Sequence, residues 1–320
     1  MSANDHPGWP GRPTPPRGLG GIEVVIIIAL VGFLVLCVLV VLPRGRETAR
    51  LATCQNNLMQ LGKATQLYEQ GQLHYPTPPP LGSPEAGSSP VAAMLQALTI
   101  PDFLDLRDAT TPPKPGRAPS RDARVAGLIC PSDAQASAGV AITAISYRAN
   151  AGEDVAGRTG PFAPGVVVGS GAVEAGDGLS FTAGFAERLL GTGVDGQPGA
   201  MNYALTTGPV AAPCDLTRPE DRRWRGGAGS SWAEPGWRST LYNHAVPPNV
   251  PTTCVADDGL TATMTASSAH PGRINVWMLD GSLRGVTPTV DPSVWRSMGS
   301  SRSAPAAVPA PATPDAGTAR

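Results

Sequence analysis

The sequence predicts an α+β protein: one long N-terminal helix followed by a loop-rich, mainly antiparallel β domain. Three observations carry this. Residues Val24 to Leu42 form an apolar run without a charge. Directly after it, apolar or small residues recur at Leu51, Cys54, Leu58, Leu61, Thr65 and Tyr68, in steps of three and four, the period of one helix face. Later, Ile274, Val276 and Met278 alternate with Asn275, Trp277 and Leu279 up to an Asp-Gly pair, the pattern of a strand entering a hairpin.

Each element follows in chain order. Residues 1–18 are rich in Pro and Gly. The helix is expected over 19–70. At about 1.5 Å per residue, its apolar first half matches a bilayer core of about 30 Å, so that half is expected to cross a membrane. The run is longer than a secretory signal, and "LPRGRETAR" after it offers no small-residue cleavage site, so the segment is read as a retained anchor. Pro43 and Gly45 are expected to kink or loosen the join to the amphipathic half. A Pro-rich linker spans 71–90, and short helices are expected over Val91–Leu98 and Thr182–Leu190. The β-rich body occupies 91–302, and 303–320 form an Ala/Pro tail with the composition of a disordered segment.

Composition supports this division. Gly (38) and Pro (35) are abundant, which favours loops and short strands over a helical body. The net charge of -1 leaves no basic patch for nucleic acid. Of five cysteines, Cys37 lies inside the apolar run and reads as a small hydrophobe. Cys54, Cys130, Cys214 and Cys254 show no Cys-x-x-Cys spacing. In an oxidising compartment three pairings are open; Cys54 with Cys130 and Cys214 with Cys254 is the favoured one, and four buried thiols is the alternative.

The residues Arg17-Gly18-Leu19-Gly20-Gly21-Ile22-Glu23, with the apolar helix behind them, resemble the leader junction of type IV prepilins. The resemblance implies cleavage after Gly18 by a prepilin peptidase, methylation of the new terminus on Leu19, and a role for Glu23 at the fifth mature position. There its carboxylate can pair with the α-amine of a neighbouring subunit, offsetting the cost of a lone charge at the bilayer edge. Leu19 replaces the usual Phe, and Gly20-Gly21 stand where Thr-Leu is usual. Further segments are similar to those of a prepilin-like bacterial family whose C-terminal domain has no assigned function. They are "CQNNLMQLGKATQLY", "CPSD", "SYRANAG", "GDGLSFTAGFAERLLG", "NHAVPPN" and "SSAHPGRINVWMLDGSLRGV". The last holds the signature His270, Asp280, Gly281. The same resemblance implies a pseudopilin-like fold and a type II secretion or type IV pilus-like assembly. It places the chain in the inner membrane as a single-pass protein, leader in the cytoplasm and body outside. The arginines after the helix (Arg44, Arg46, Arg50) outnumber those before it (Arg12, Arg17), and counted alone would orient it the other way.

From the residues themselves, Asp280 reads as a turn residue, at a type I′ turn, and His270, before Pro271, as a loop cap. Gly191–Gly196 match G-x-G-x-x-G, but Pro198 and Gly199 block the helix that a dinucleotide site needs. No Walker loop, Gly-x-Ser-x-Gly elbow or His-Glu-x-x-His occurs, and no enzymatic activity, cofactor or metal ligand set is expected. Asp257-Asp258-Gly259 fits either a calcium-holding loop, as in some secretion pseudopilins, or a plain turn. The expected function is a non-catalytic structural or interaction role, with the membrane, the prepilin peptidase and like subunits as partners. The alternative is a solitary single-pass binding module, for which Trp224, Trp232 and Trp237 are the clustered candidates; a surface hydrolase is a third option.

Overall fold

The computed structural model describes residues 20–83, 87–97, 124–135, 142–215, 222–251 and 253–302, apart from the side chains of 38–44 and 96–97. It is a mixed α+β structure with open, antiparallel-rich sheets. Arg17, Gly18 and Leu19 of the leader junction and the tail at 303–320 lie outside the described residues.

Helix α1 runs from Gly21 to Gln72, through Pro43 and Gly45. The chain divides into two compact units, Met1–Thr48 and Ala49–Arg320. In the first, the side chains of α1 from Val24 to Cys37 are apolar or Gly and exposed: Phe33 is 67% and Leu34 65% accessible. Among the described residues, no helix is long and apolar enough to cross a membrane; the end of the Val24–Leu42 run falls among the side chains that are not described.

In the second unit, the rest of α1 is a core element. Cys54, Leu58, Leu61, Ala64 and Thr65 are buried while Met59 and Leu67 remain exposed, the single face that steps of three and four define. This face lies on a five-stranded sheet of order β5-β1-β2-β8-β9. Its strands are β1 (Tyr147–Asn150), β2 (Ala183–Glu187), β5 (Leu241–Tyr242), β8 (Ile274–Met278) and β9 (Leu283–Val286). All pairs are antiparallel except β1 with β5.

Strand β8 is buried on both faces, so its alternation separates two cores rather than core from solvent. Trp277 and Leu279 join Phe185, Tyr147, Leu58 and Leu61 on the α1 side. Ile274, Val276 and Met278 join Tyr242 and Trp295 on the other. A Cβ at Gly62 would stand 2.1 Å from the Trp277 indole nitrogen, and one at Gly184 2.5 Å from its six-membered ring. Two residues without side chains therefore form the slot that holds Trp277.

The second face is closed by a short helix near the C-terminus, Pro292–Ser297, numbered α4 below. The Asp291 side chain caps it by accepting from Ser293 N and Val294 N. Helix α2 (Pro90–Ala97) covers the end of α1 through Met94, and α3 (Ser170–Ala175) is bound to Glu69, which accepts from Ser170 Oγ at 2.5 Å. A smaller sheet of order β4-β3-β6-β7 holds Arg223–Arg225, Tyr203–Thr206, Cys254–Ala256 and Ala262–Thr263.

Two expectations are corrected. Residues 182–190 form no helix: Ala183–Glu187 is strand β2, buried throughout, because the segment lies between β1 and β8 under Trp277. Tertiary packing there overrides the helix propensity of Ala, Glu and Leu. The Asp280-Gly281 turn is present but is not type I′, since only Gly281 has positive φ (90°). Gly281 N donates to Met278 O at 2.9 Å and Met278 N donates to Ser282 O at 2.9 Å. That is a three-residue loop closing on a left-handed glycine bulge.

Candidate buried cysteine–histidine–glutamate cluster

The signature segments meet where α1 crosses the end of β2. Cys54 projects from the buried face of α1 and is bonded to Cys130, in the turn after a 3-10 helix at Ala126–Leu128; their Cα atoms are 5.1 Å apart. His270 comes from the loop before β8, where its backbone N–H donates to Ser268 Oγ at 3.1 Å. Glu187 ends β2. His270 Nε2 lies 3.3 Å from Glu187 Oε1 and 3.5 Å from Cys130 Sγ.

Glu187 is held on both oxygens. Asn275 Nδ2 donates to Oε1 at 2.8 Å and Asn275 N donates to Oε2 at 2.9 Å. Gln55 on α1 donates in turn to Asn275 Oδ1 at 3.2 Å. Both oxygens thus accept from Asn275, and His270 Nε2 faces Oε1. Helix, turn, strand and loop thus each supply one member. The side chains of His270 and Glu187 are 1% and 3% exposed, so the pair works in a low-dielectric setting where hydrogen bonds to charge are strong.

Beside the cluster is a cavity of about 10 Å³ lined by Cys130, Asp133, Ser146, Glu187, Arg188 and Ser267 among others, room for one water-sized species. Asp133 accepts from Leu190 N at 2.7 Å and from Gln135 N at 3.1 Å. Burial nonetheless raises its pKa above the ordinary carboxyl value, against the pull of those bonds and of Arg188. Arg188 is fully buried and donates to Ser267 Oγ at 2.8 Å; desolvation brings its guanidinium down to about 10, with Asp133 opposing the shift.

Chemically, the cluster has donors of every kind that bind a borderline-soft cation. One ligand atom each from Cys54, Cys130, Glu187 and His270 lies within 4.8 Å of the others. In the disulfide state the two sulfurs are committed to one another. His270 Nε2 faces both the Cys130 sulfur and the Glu187 carboxylate.

The other candidate residues fall elsewhere. Asp280 and Gly281 sit at the β8–β9 turn, where Asp280 Oδ1 accepts from Ser282 N at 2.8 Å and Ser282 Oγ at 2.6 Å. The signature thus splits between a buried site (His270) and an exposed turn. Cys214 is bonded to Cys254 in the second sheet, with Cα atoms 6.1 Å apart. Cys37 is free and exposed. Both Asp257 carboxylate oxygens accept from Arg223, and Asp258 closes a turn by accepting from Leu260 N at 2.9 Å. Gly191–Gly196 form a loop bonded to the segment around Gly226, with no helix following. Trp224, Trp232 and Trp237 are buried. Glu23 lies in the first turn of α1, where its Oε2 accepts from Gly20 N at 2.9 Å.

Glu187, Asn275, Asp133 and Arg188 were not singled out in the sequence. Their cue was weak: each lies in a segment similar to the prepilin-like family, but polar residues in such segments are common and only the fold brings these together.

An α+β body of this kind, built from those segments, defines a bacterial domain without an assigned activity. The chain belongs to the family described as protein of unknown function (DUF1559), whose model matches residues 43–293. No curated protein and no solved structure matches it.

Proposed function

We propose that this chain is a membrane-anchored, prepilin-like structural or interaction protein, non-catalytic, acting in a type II secretion or type IV pilus-like assembly. The observation that carries this reading is the start of α1. A single carboxylate, Glu23, sits in the first turn of a helix whose following side chains, Val24 to Leu36, are apolar apart from Gly32 and exposed. An all-apolar helix surface needs lipid or other helices around it. Glu23 Oε2 already accepts from Gly20 N, the amide next in sequence to Leu19. Cleavage after Gly18 would give Leu19 an α-amine, a charged donor for the carboxylate of a stacked neighbour.

In this reading the helix crosses the inner membrane with the leader in the cytoplasm, and the body is extracytoplasmic, where disulfides persist. The partners are the bilayer, a prepilin peptidase and like subunits. N-terminal mass spectrometry of protein extracted from native membranes tests the cleavage: a terminus at Leu19, N-methylated, supports it, and an intact leader overturns it. Crosslinking through a cysteine placed just after Leu42 tests the assembly. Glu23→Val should leave the protein cleaved and inserted but reduce the ladder of crosslinked species; equal ladders would remove Glu23 from assembly.

The solitary binding module is favoured by a separate observation. A cleft of about 450 Å³ in the body is lined by Leu81, Glu234, Trp237, Arg238, Val255 and Asp257 among others, within the size range of small-ligand sites. No crosslinked ladder in either protein would favour that reading.

A further inference from the structure

We propose that Cys54, Cys130, Glu187 and His270 form a divalent-metal site of the zinc class when the Cys54–Cys130 disulfide is reduced, so that the link between α1 and the sheet exists in two chemical forms. The inference does not depend on how the chain is anchored.

The spacing of the donors carries it. For a tetrahedral zinc with Zn–S near 2.3 Å and Zn–N or Zn–O near 2.0–2.2 Å, ligand atoms stand about 3.6 Å apart for sulfur and nitrogen and about 3.4 Å apart for nitrogen and oxygen. Cys130 Sγ and His270 Nε2 are 3.5 Å apart, and His270 Nε2 and Glu187 Oε1 3.3 Å. Two edges of the tetrahedron are therefore already in place. The change required is separation of the two sulfurs, from a bonded distance of about 2 Å to about 3.8 Å.

The orientation of the donors agrees. One imidazole nitrogen faces both sulfur and carboxylate, which suits a single central cation. Glu187 is steered by Asn275, and Asn275 by Gln55, the kind of outer support that fixes metal ligands. All four members are buried, so the site would be closed, with four protein ligands and none left for catalysis. The cavity beside Cys130 and Glu187 has room for a water-sized species.

The chemistry balances. A dithiol reductant gives two electrons to the disulfide; the Cys54–Cys130 bond breaks, two protein thiols form, and the reductant leaves as its cyclic disulfide. Coordination of the divalent ion by both sulfurs as thiolates then releases two protons, and the neutral imidazole and the carboxylate complete a site with one net negative charge. Reoxidation by disulfide exchange with an oxidised dithiol expels the ion.

The test uses cobalt(II) as the probe on the full-length chain. Protein is reduced with a dithiol, desalted without oxygen and titrated with cobalt(II), alongside the oxidised protein. The reduced chain should take up one equivalent with the visible bands of a tetrahedral site and a thiolate-to-cobalt charge-transfer band; the oxidised chain should show neither. His270→Ala and Glu187→Gln should remove the tetrahedral spectrum, and Asn275→Ala should weaken binding by about ten- to a hundredfold. Circular dichroism with and without metal follows folding in each case. A reduced chain that binds no cobalt, folded or unfolded, would overturn the proposal. So would a signal that survives both His270→Ala and Glu187→Gln at full affinity, because it would belong to Cys37, Cys214 or Cys254.

Discussion

His244 offers a test of the core that is independent of any function. Its ring is fully buried, stacked on Trp295 with centroids 3.9 Å apart. Nδ1 bonds to the Trp295 carbonyl at 2.7 Å and Nε2 to the Tyr242 hydroxyl at 3.0 Å. A carbonyl can only accept, so Nδ1 carries the hydrogen and Nε2 accepts from the tyrosine: a neutral ring in one tautomer. Protonation would place an unpaired charge there. Desolvation accordingly lowers the pKa from 6.5 to about 3, against the opposing effect of the Trp295 carbonyl. Above pH 6.5 folded and unfolded chains both hold the ring neutral, and no stability is at stake. Between pH 6.5 and about 3 only the unfolded chain takes up the proton, so stability falls as pH falls. At about 1.4 kcal/mol per unit, moving from pH 7 to pH 5 should cost about 2 kcal/mol from this residue alone. Urea unfolding of wild type and His244→Gln at both pH values measures it. The variant is expected to be weaker at pH 7 yet to lose about 2 kcal/mol less on going to pH 5. Other titrating groups are common to both proteins and cancel. Equal losses in the two proteins would refute the reasoning.

Gly62→Ala should destabilise the body by roughly 1–3 kcal/mol despite the better helix former, because its Cβ collides with the Trp277 ring; an unchanged urea midpoint would show that the indole can give way. Asn150→Ala should cost about 3 kcal/mol, since its amide donates to Ala183 O and Gly299 O and accepts from Gly152 N, all in the buried interior; the unfolding midpoint reads this directly. Asp291→Ala removes the cap of α4 and should lower the unfolding temperature at pH 7, with the difference from wild type shrinking in acid, because the bonds to Ser293 and Val294 hold the Asp291 carboxyl below its usual pKa; a difference independent of pH would remove the carboxylate from the cap.

The helix face from Leu51 to Tyr68 was legible because its burial follows the period of a single element, which any stretch of sequence displays. The hairpin at Asp280-Gly281 was legible for the same local reason. Its turn type was not, because which residue takes positive φ depends on how β8 and β9 pair. Residues 182–190 misled because Ala, Gly, Glu and Leu say more about helix preference than about the narrow space under Trp277, which dictates small side chains in β2. The parallel pairing of β1 with β5 joins Ala149 to Leu241, with no local cue between them. The pairing of Cys54 with Cys130 was favoured from the sequence, but its meeting with His270 and Glu187 was not legible, for a related reason. Residues 54, 130, 187 and 270 come from separate segments, whereas recognisable metal motifs place at least two ligands within a few positions of each other.

The order in which the chain is made bears on when the body can close. Cys54, near its start, neighbours residues 130, 187 and 270; Met298 O accepts from Ala183 N, and Ser301 N donates to Thr159 O. The α1-side core lacks Trp277 and Leu279, and the opposite core Trp295 and Met298, until those residues have left the ribosome. At about 5–20 residues per second, the helix must wait roughly 10–50 seconds for its final partners, and such distant pairings are slow to form even then. A chain that ended at residue 290 would hold β8 and β9 but lack α4, leaving one face of the sheet open to proteolysis.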